Sequence, residues 1–348
     1  MMMIPKTIID AISRPQFTEF NVNQLPVGNF SFFYAIFLVM FIPTISPAFN
    51  QDAYILGGLI SSHEDHSSSY SWQISYMEGV GDHFGWSFSW LNEGHLPDHH
   101  RDGPTFQLWA RTNILNQSLS LAAGAGPYLA FDTQHKLDGS YRNEKDLGGV
   151  FSLATTWDTK SRWLLQTRVN IVWMNTNFDT TSLLFGVGYR LDPEPSAGTQ
   201  TTESLQTWST KNNEITGFLG RCIVNGPHDN SFAIGVEYRR GVAHYLEWTV
   251  GYLDEGDNTA IERKGITSQL WPKRSFFNDR LTLGVGFGAY LAVDKFRNPD
   301  DAFIAGLITL TGSYHLCRKF LIRISCSRTI TDYNRDTDII LAGLGYRF

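Results

Sequence analysis

Downstream of Asn50 the apolar positions recur every second residue. In Tyr70-Ser71-Trp72-Gln73-Ile74-Ser75-Tyr76 each large apolar side chain is followed by a small or polar one, and Phe84-Gly85-Trp86-Ser87-Phe88-Ser89-Trp90 does the same. Successive side chains of a strand point to opposite faces, so the spacing predicts strands with one aromatic face and one face of Ser, Gly or Gln. The pattern predicts strands between Asp52 and Leu191 near 52–62, 68–80, 83–93, 103–114, 118–131, 147–157, 162–175 and 180–191. An equal set follows between Glu214 and Phe348, near 214–224, 230–240, 243–253, 262–272, 279–293, 302–314, 319–330 and 337–348. In a soluble sandwich the apolar face would turn inward. Here so many strands carry Trp, Tyr and Phe on the large face that this face is expected to look outward into lipid. The fold class is therefore all-β, a transmembrane antiparallel β-barrel.

The two sets of strands are copies. At an offset of 162, Leu91-Asn92-Glu93-Gly94 becomes Leu253-Asp254-Glu255-Gly256, and Gln107-Leu108-Trp109 becomes Gln269-Leu270-Trp271. The hexad Gly343-Leu344-Gly345-Tyr346-Arg347-Phe348 repeats Gly186-Val187-Gly188-Tyr189-Arg190-Leu191, 157 residues earlier. Between the copies, 192–213 is rich in Pro, Ser, Thr and Gly and reads as a linker. It is long for a turn inside one barrel, and each copy has its own closing strand. The inward residues are small and polar (Gly85, Ser87, Ser89, Gly124, Gly126, Gly286, Gly288), with Gln166, Arg168 and Arg323 among them. Together these favour two tandem eight-stranded barrels, units 49–191 and 214–348, over a single sixteen-stranded one. Tips after odd strands read as long (His63–Ser68, Gly94–Asp102, Asp132–Asp146) and those after even strands as short (Gly79–Asp82, Asn116–Gln117, Asp158–Ser161). Long tips are expected outside the cell and short ones in the periplasm.

Composition adds less. A net charge of −6, 42% hydrophobic residues and a mean hydropathy of −0.19 would suit an ordinary soluble chain. Only 18% of residues are charged while 14% are aromatic, which fits strands with one face in lipid. The acidic balance and the lack of a basic run give no reason to expect nucleic acid as a partner. The continuously apolar segment Phe30–Ile42, followed by Ser46-Pro47-Ala48, predicts a signal peptide over 1–48, with a retained anchor helix as the alternative. The stretch before it is long for a signal, so the true start is expected downstream of Met1. Cys222, Cys317 and Cys326 have no metal or redox spacing and are expected to be free thiols. No cofactor is expected.

Half of the 10 histidines fall in two neighbouring tips: His63 and His66 in the first, His95, His99 and His100 in the second. With Glu64, Asp65, Asp98 and Asp102 beside them they are candidate metal ligands, or an acid–base pair, although no spacing matches a metal signature and polar surface loops are commonly rich in such residues. The second copy keeps Glu255 and Arg263 for Glu93 and Arg101, and His228 for His66, but has Asp257, Ile261 and Glu262 for His95, His99 and His100. Glu93 with Arg101 and Glu255 with Arg263 are thus expected to pair at the loop tips as a structural feature of the unit. Trp72, Trp86, Trp90, Trp163 and Trp173 are expected to form an interfacial girdle.

A terminal Phe after alternating apolar residues resembles the closing strand of bacterial outer-membrane β-barrels, in which the last residues are read by the assembly machinery. Tyr346 and Phe348 would be that signal. The chain loosely resembles the lipid A 3-O-deacylase group of small barrels, which also ends in Gly-Tyr-Arg-Phe. That resemblance implies a His-x-Ser pair on the penultimate strand, yet 162–175 and 320–330 contain no His, and the one His-x-Ser, His66-Ser67-Ser68, is in the first tip. The expectation is therefore a non-enzymatic porin-like protein of a Gram-negative outer membrane, in contact with lipid and lipopolysaccharide. It would serve surface binding or small-solute passage, with a lipid A-modifying hydrolase as the alternative.

Overall fold

The computed structural model describes residues 51–191 and 213–348, leaving aside 117, 137, 176, 177, 228 and 244. The expected signal segment 1–48, the linker up to residue 212 and His228 lie outside the described residues.

The first unit runs β1 (Gln51–Ser62), β2 (Ser68–Val80), β3 (Phe84–Leu96), β4 (His99–Ile114), β5 (Leu119–His135), β6 (Tyr141–Asp158), β7 (Trp163–Trp173) and β8 (Thr180–Arg190). The second runs β9 (Asn213–Val224), β10 (Asn230–Ala243), β11 (Leu246–Asp257), β12 (Glu262–Phe276), β13 (Leu281–Asp294), β14 (Asn298–His315), β15 (Phe320–Ile330) and β16 (Thr337–Arg347). Each set is an antiparallel closed barrel of eight strands. The repeated hexad closes both. In the first, β8 pairs with β1, placing Tyr189 opposite Ala53 and Gly186 opposite Leu56. In the second, β16 pairs with β9, placing Tyr346 opposite Ile215 and Leu344 opposite Gly217. Two barrels of eight, not one of sixteen, is the architecture, because each copy's last strand satisfies the free edge of its own first strand.

Side chains alternate as the period requires. Leu59, Leu108 and Phe185 of barrel 1 and Leu219, Ile304 and Leu344 of barrel 2 project outward, each more than half exposed, while their neighbours are buried or half-buried. Inside, the lumen of barrel 1 is packed with Tyr54, Leu56, Leu91, Trp109, Tyr128, Leu164 and Leu184, and that of barrel 2 with Phe218, Leu253, Tyr290, Leu307, Ile339 and Leu341. Eight strands enclose a space that side chains can fill, and here they do.

The tips correct the sequence reading. Gly94–Asp102 and Asp132–Asp146 are not long loops. β3 and β4 continue to a turn at Pro97-Asp98, and β5 and β6 run on to a short connection between His135 and Tyr141. Both hairpins overhang the end of barrel 1 that lies away from its first and last residues. The expected girdle also needs correction. Trp72, Trp163 and Trp173 are exposed, but Trp86 is buried between Tyr76 and Phe106, with ring centroids 5.5 and 6.0 Å away, and the indole of Trp90 donates to Asp102.

Candidate functional site

The overhanging β3–β4 hairpin is built on a bulge. Asn92 lies opposite Asp102 and His95 opposite His100, so Glu93 and Gly94 together face Arg101. Gly94 takes φ +69°, and its N–H donates to the Asn92 side chain at 2.9 Å. The extra residue turns Glu93 into the lumen, directly at Arg101. Barrel 2 repeats the device. Asp254 lies opposite Lys264 and Asp257 opposite Glu262, leaving Glu255 and Gly256 against Arg263, with φ +81° at Gly256. A side chain at either glycine would require a left-handed backbone that L-residues rarely adopt. The Glu-Gly dipeptide was the legible trace of this bulge.

The expected Glu–Arg pairs form, but inside the lumens and not at the tips. Arg101 binds both carboxylate oxygens of Glu93, and the hydroxyl of Thr180 also donates to that carboxylate. Its remaining donor reaches the Phe178 carbonyl at 2.9 Å, and the guanidinium lies 4.3 Å from the Phe178 ring centroid. Arg263 binds Glu255 at 2.6 and 2.7 Å, and also reaches Thr337 at 2.8 Å, the Arg335 carbonyl at 3.0 Å and the Tyr333 hydroxyl at 3.1 Å. Tyr333, on the β15–β16 connection, in turn donates to Asp294 at 2.6 Å, and burial pushes its hydroxyl well above the usual phenol range. Both pairs are fully buried. A buried pair is tolerable only where every donor and lone pair is met, and these clamps come close to that limit.

The structure does not gather the five histidines. His99 and His100 are adjacent on β4, so their rings point to opposite sides of the barrel wall. His99 faces inward, its Nδ1 2.7 Å from Asp132, beside Phe178. His100 faces outward, stacked on His95 with centroids 4.3 Å apart and Nε2 3.2 Å from the Asn92 amide. His63 meets the Thr181 hydroxyl at 2.8 Å, and His66 is exposed in the β1–β2 turn at φ +57°. Ser67, of the His66-Ser67-Ser68 run, donates both N–H and Oγ to Asp65, holding that carboxyl below the usual carboxylate range. Among the described residues no group of three or more His, Cys, Asp or Glu side chains converges as a metal site. Zinc titration of the purified chain is expected to give the same isotherm for wild type and for His100→Ala. A stoichiometric site lost in that variant would mean that the hairpin rearranges around metal.

The inward placement of Gln166, Arg168 and Arg323 agrees with the sequence reading, and what the sequence missed is their partners. Arg168 is fully buried in barrel 1, bonded to Gln166 at 3.1 Å and Ser75 at 3.3 Å, 5.0 Å from the Trp109 ring. In barrel 2 the register places Ser325 at the position of Arg168, and the buried Arg323, which matches Gln166, is held by carboxylates, Glu214 at 2.6 Å and Glu237 at 3.1 Å. Ser325 and Ser327 on β15 face this lumen near the Thr311 and Thr309 hydroxyls, at 3.4 and 3.0 Å. Neither β7 nor β15 carries a histidine to activate a serine. Cys222 is buried in barrel 2, its Sγ 3.4 Å from Glu255. Cys317 and Cys326 are exposed, and all three are free thiols. Tyr346 and Phe348 project outward with their rings stacked 6.3 Å apart.

No family model matches the chain, and no curated protein matches it. Among solved structures, the N-terminal β-barrel domain of Pseudomonas aeruginosa OprF aligns at 11% identity, over 41% of this chain and 99% of that one, with a TM-score of 0.33. Neisserial surface protein A aligns at 17% identity, over 42% and 99%, with a TM-score of 0.33. The Pseudomonas putida toluene transporter TodX aligns at 9% identity, over 87% and 90%, with a TM-score of 0.22.

Proposed function

We propose that this chain is an integral protein of the bacterial outer membrane, in which two plugged barrels anchor surface hairpins that act by binding, without catalysis and without solute passage. The observation that carries the membrane half is the outer face of each barrel. Rows of Leu, Ile, Phe and Trp side chains there have no protein to cover them, an arrangement that water would not tolerate and lipid would favour. The strand ends agree with it. The overhanging β3–β4 and β5–β6 hairpins belong on the outer surface, against lipopolysaccharide, and the ends bearing each barrel's first and last residues belong in the periplasm. Tyr346 and Phe348 then stand where assembly machinery would engage the closing strand.

The lumens favour binding over passage. Trp109, Arg168 and Tyr128 are buried inside barrel 1, and Trp271, Tyr290 and Arg323 inside barrel 2, where they fill a space that only side chains of this size would occupy. The cavity lined by Phe218, Leu253, Gln269 and Leu307 has about 40 Å³, which is room for no more than a few waters. Planar-bilayer recordings of the purified chain are expected to show no stable single-channel openings. Large, long-lived openings from folded protein would replace this reading with solute transport.

A further inference from the structure

One end of barrel 2, where β9 begins and β16 finishes, differs sharply in charge from the same end of barrel 1. Register makes the comparison position by position. Glu78 lies opposite Trp86 in barrel 1, and Arg240 opposite Trp248 in barrel 2. Thr112 lies opposite Leu121, and Arg274 opposite Leu283. Ser118 and Arg280 directly precede β5 and β13, and Ser161 and Arg318 occupy matching turns before β7 and β15. At each of these positions barrel 2 has Arg where barrel 1 has Glu, Thr or Ser, while Lys319 matches Arg162. In barrel 1 the rim is balanced, Glu78 and Asp82 against Lys160 and Arg162. In barrel 2, Asp279 stands against Arg240, Arg274, Arg280, Arg318 and Lys319.

These cations are not internal glue. Arg240, Arg280, Arg318 and Lys319 are exposed, and among the described residues none of them is held in an ion pair. They alternate around the rim with exposed Tyr245, Phe277, Leu316, Phe320 and Tyr346, and the Arg274 guanidinium lies 4.2 Å from the Tyr245 ring centroid. A basic rim facing a soluble acidic protein would not need apolar rings between its charges. Cations that continue directly from a lipid-facing aromatic belt lie at headgroup depth, with their stems along the apolar surface and their charges among the phosphates.

We infer that this rim of barrel 2 is a binding surface for anionic phospholipid headgroups, and that the equivalent rim of barrel 1 is not. The inference rests on the membrane reading above and adds a lipid class and a place. It also gives the internal repeat a use: the second copy supplies an anionic-lipid anchor that the first copy lacks.

The test is to insert the full chain into vesicles of equal phosphatidylcholine and phosphatidylglycerol, extract it gently, and count retained lipids by native mass spectrometry. Wild type is expected to retain phosphatidylglycerol over phosphatidylcholine by at least about threefold, less so when extracted in molar salt, which screens such contacts. The variant Arg240→Glu, Arg274→Thr, Arg280→Ser, Arg318→Ser carries residues that the same fold accommodates in barrel 1, and is expected to lose the preference. An equal preference in both proteins, or one that salt does not weaken, overturns the inference. So does wild type with no lipid preference that binds polyglutamate instead, which would assign the rim to an acidic soluble partner. If wild type enters neither these vesicles nor pure phosphatidylcholine, the membrane reading itself fails. Insertion without preference defeats only the lipid site.

Discussion

Glu255→Ala is expected to destabilise barrel 2 by about 3–5 kcal/mol, because it strands the Arg263 guanidinium in the lumen without a counter-charge. Thr337 and Cys222, which also donate to this carboxylate, lose their acceptor at the same time. The double replacement Glu255→Leu with Arg263→Leu removes both charges, fills part of the volume, and is expected to cost markedly less than the single change. Guanidinium titration of the folded chain, followed by far-ultraviolet circular dichroism, measures both. A single variant within about 1 kcal/mol of wild type would mean that water reaches the pair and that the clamp does not hold the barrel end. Glu93→Ala should behave alike in barrel 1, where Arg101 depends on Glu93 in the same way.

Gly286→Val is expected to destabilise barrel 2 as well, for a steric reason. A Cβ at Gly286 would lie 2.7 Å from the Trp271 ring, and the ring cannot easily move. Its Nε1 donates to Thr249 at 2.9 Å, and Arg239 lies 4.1 Å from it on the ring face. Overpacking of this kind costs about 1–3 kcal/mol and sometimes more, while Trp271→Ala should cost about 3–5 kcal/mol through the cavity it leaves. The informative measurement is the pair. Gly286→Val with Trp271→Ala should cost clearly less than the sum, since the valine enters the space the indole leaves. Strict additivity in the same denaturant titration would show that the ring does not pack on this glycine. Barrel 1 has the same arrangement, with Trp109 against Gly124.

These lumen contacts show where sequence reasoning stopped. In Phe106-Gln107-Leu108-Trp109 an aromatic ring falls on each side of the wall, so alternation marks a strand without saying which ring goes inside. The structure puts Leu108 on the outer wall and Trp109 in the lumen, and the choice is made by Gly124 on the neighbouring strand, which leaves room for the indole. The histidine grouping failed differently. Residues read as a loop tip could converge on a metal, but once Gly94–Asp102 continues as two strands, the pleat sends His99 and His100 to opposite sides. The Glu–Arg pairing was legible because it recurs in both copies, but its burial was not, since a single bulge residue decides which way Glu93 and Glu255 point.

By itself, then, the sequence determined the strand number and an internal repeat, and it favoured two eight-stranded units over one of sixteen. Those depend on local periodicity and on a closing hexad that each copy carries in full. Only the tertiary structure decided which large rings fill the lumens and which polar groups meet. Arg168 finds Ser75, Arg101 finds Thr180, and Arg323 finds Glu214 across a cylinder whose closure brings together side chains far apart in the chain. Inside so narrow a barrel, each inward side chain takes the space its opposite neighbours leave, a constraint that exists only after the ring of strands has closed.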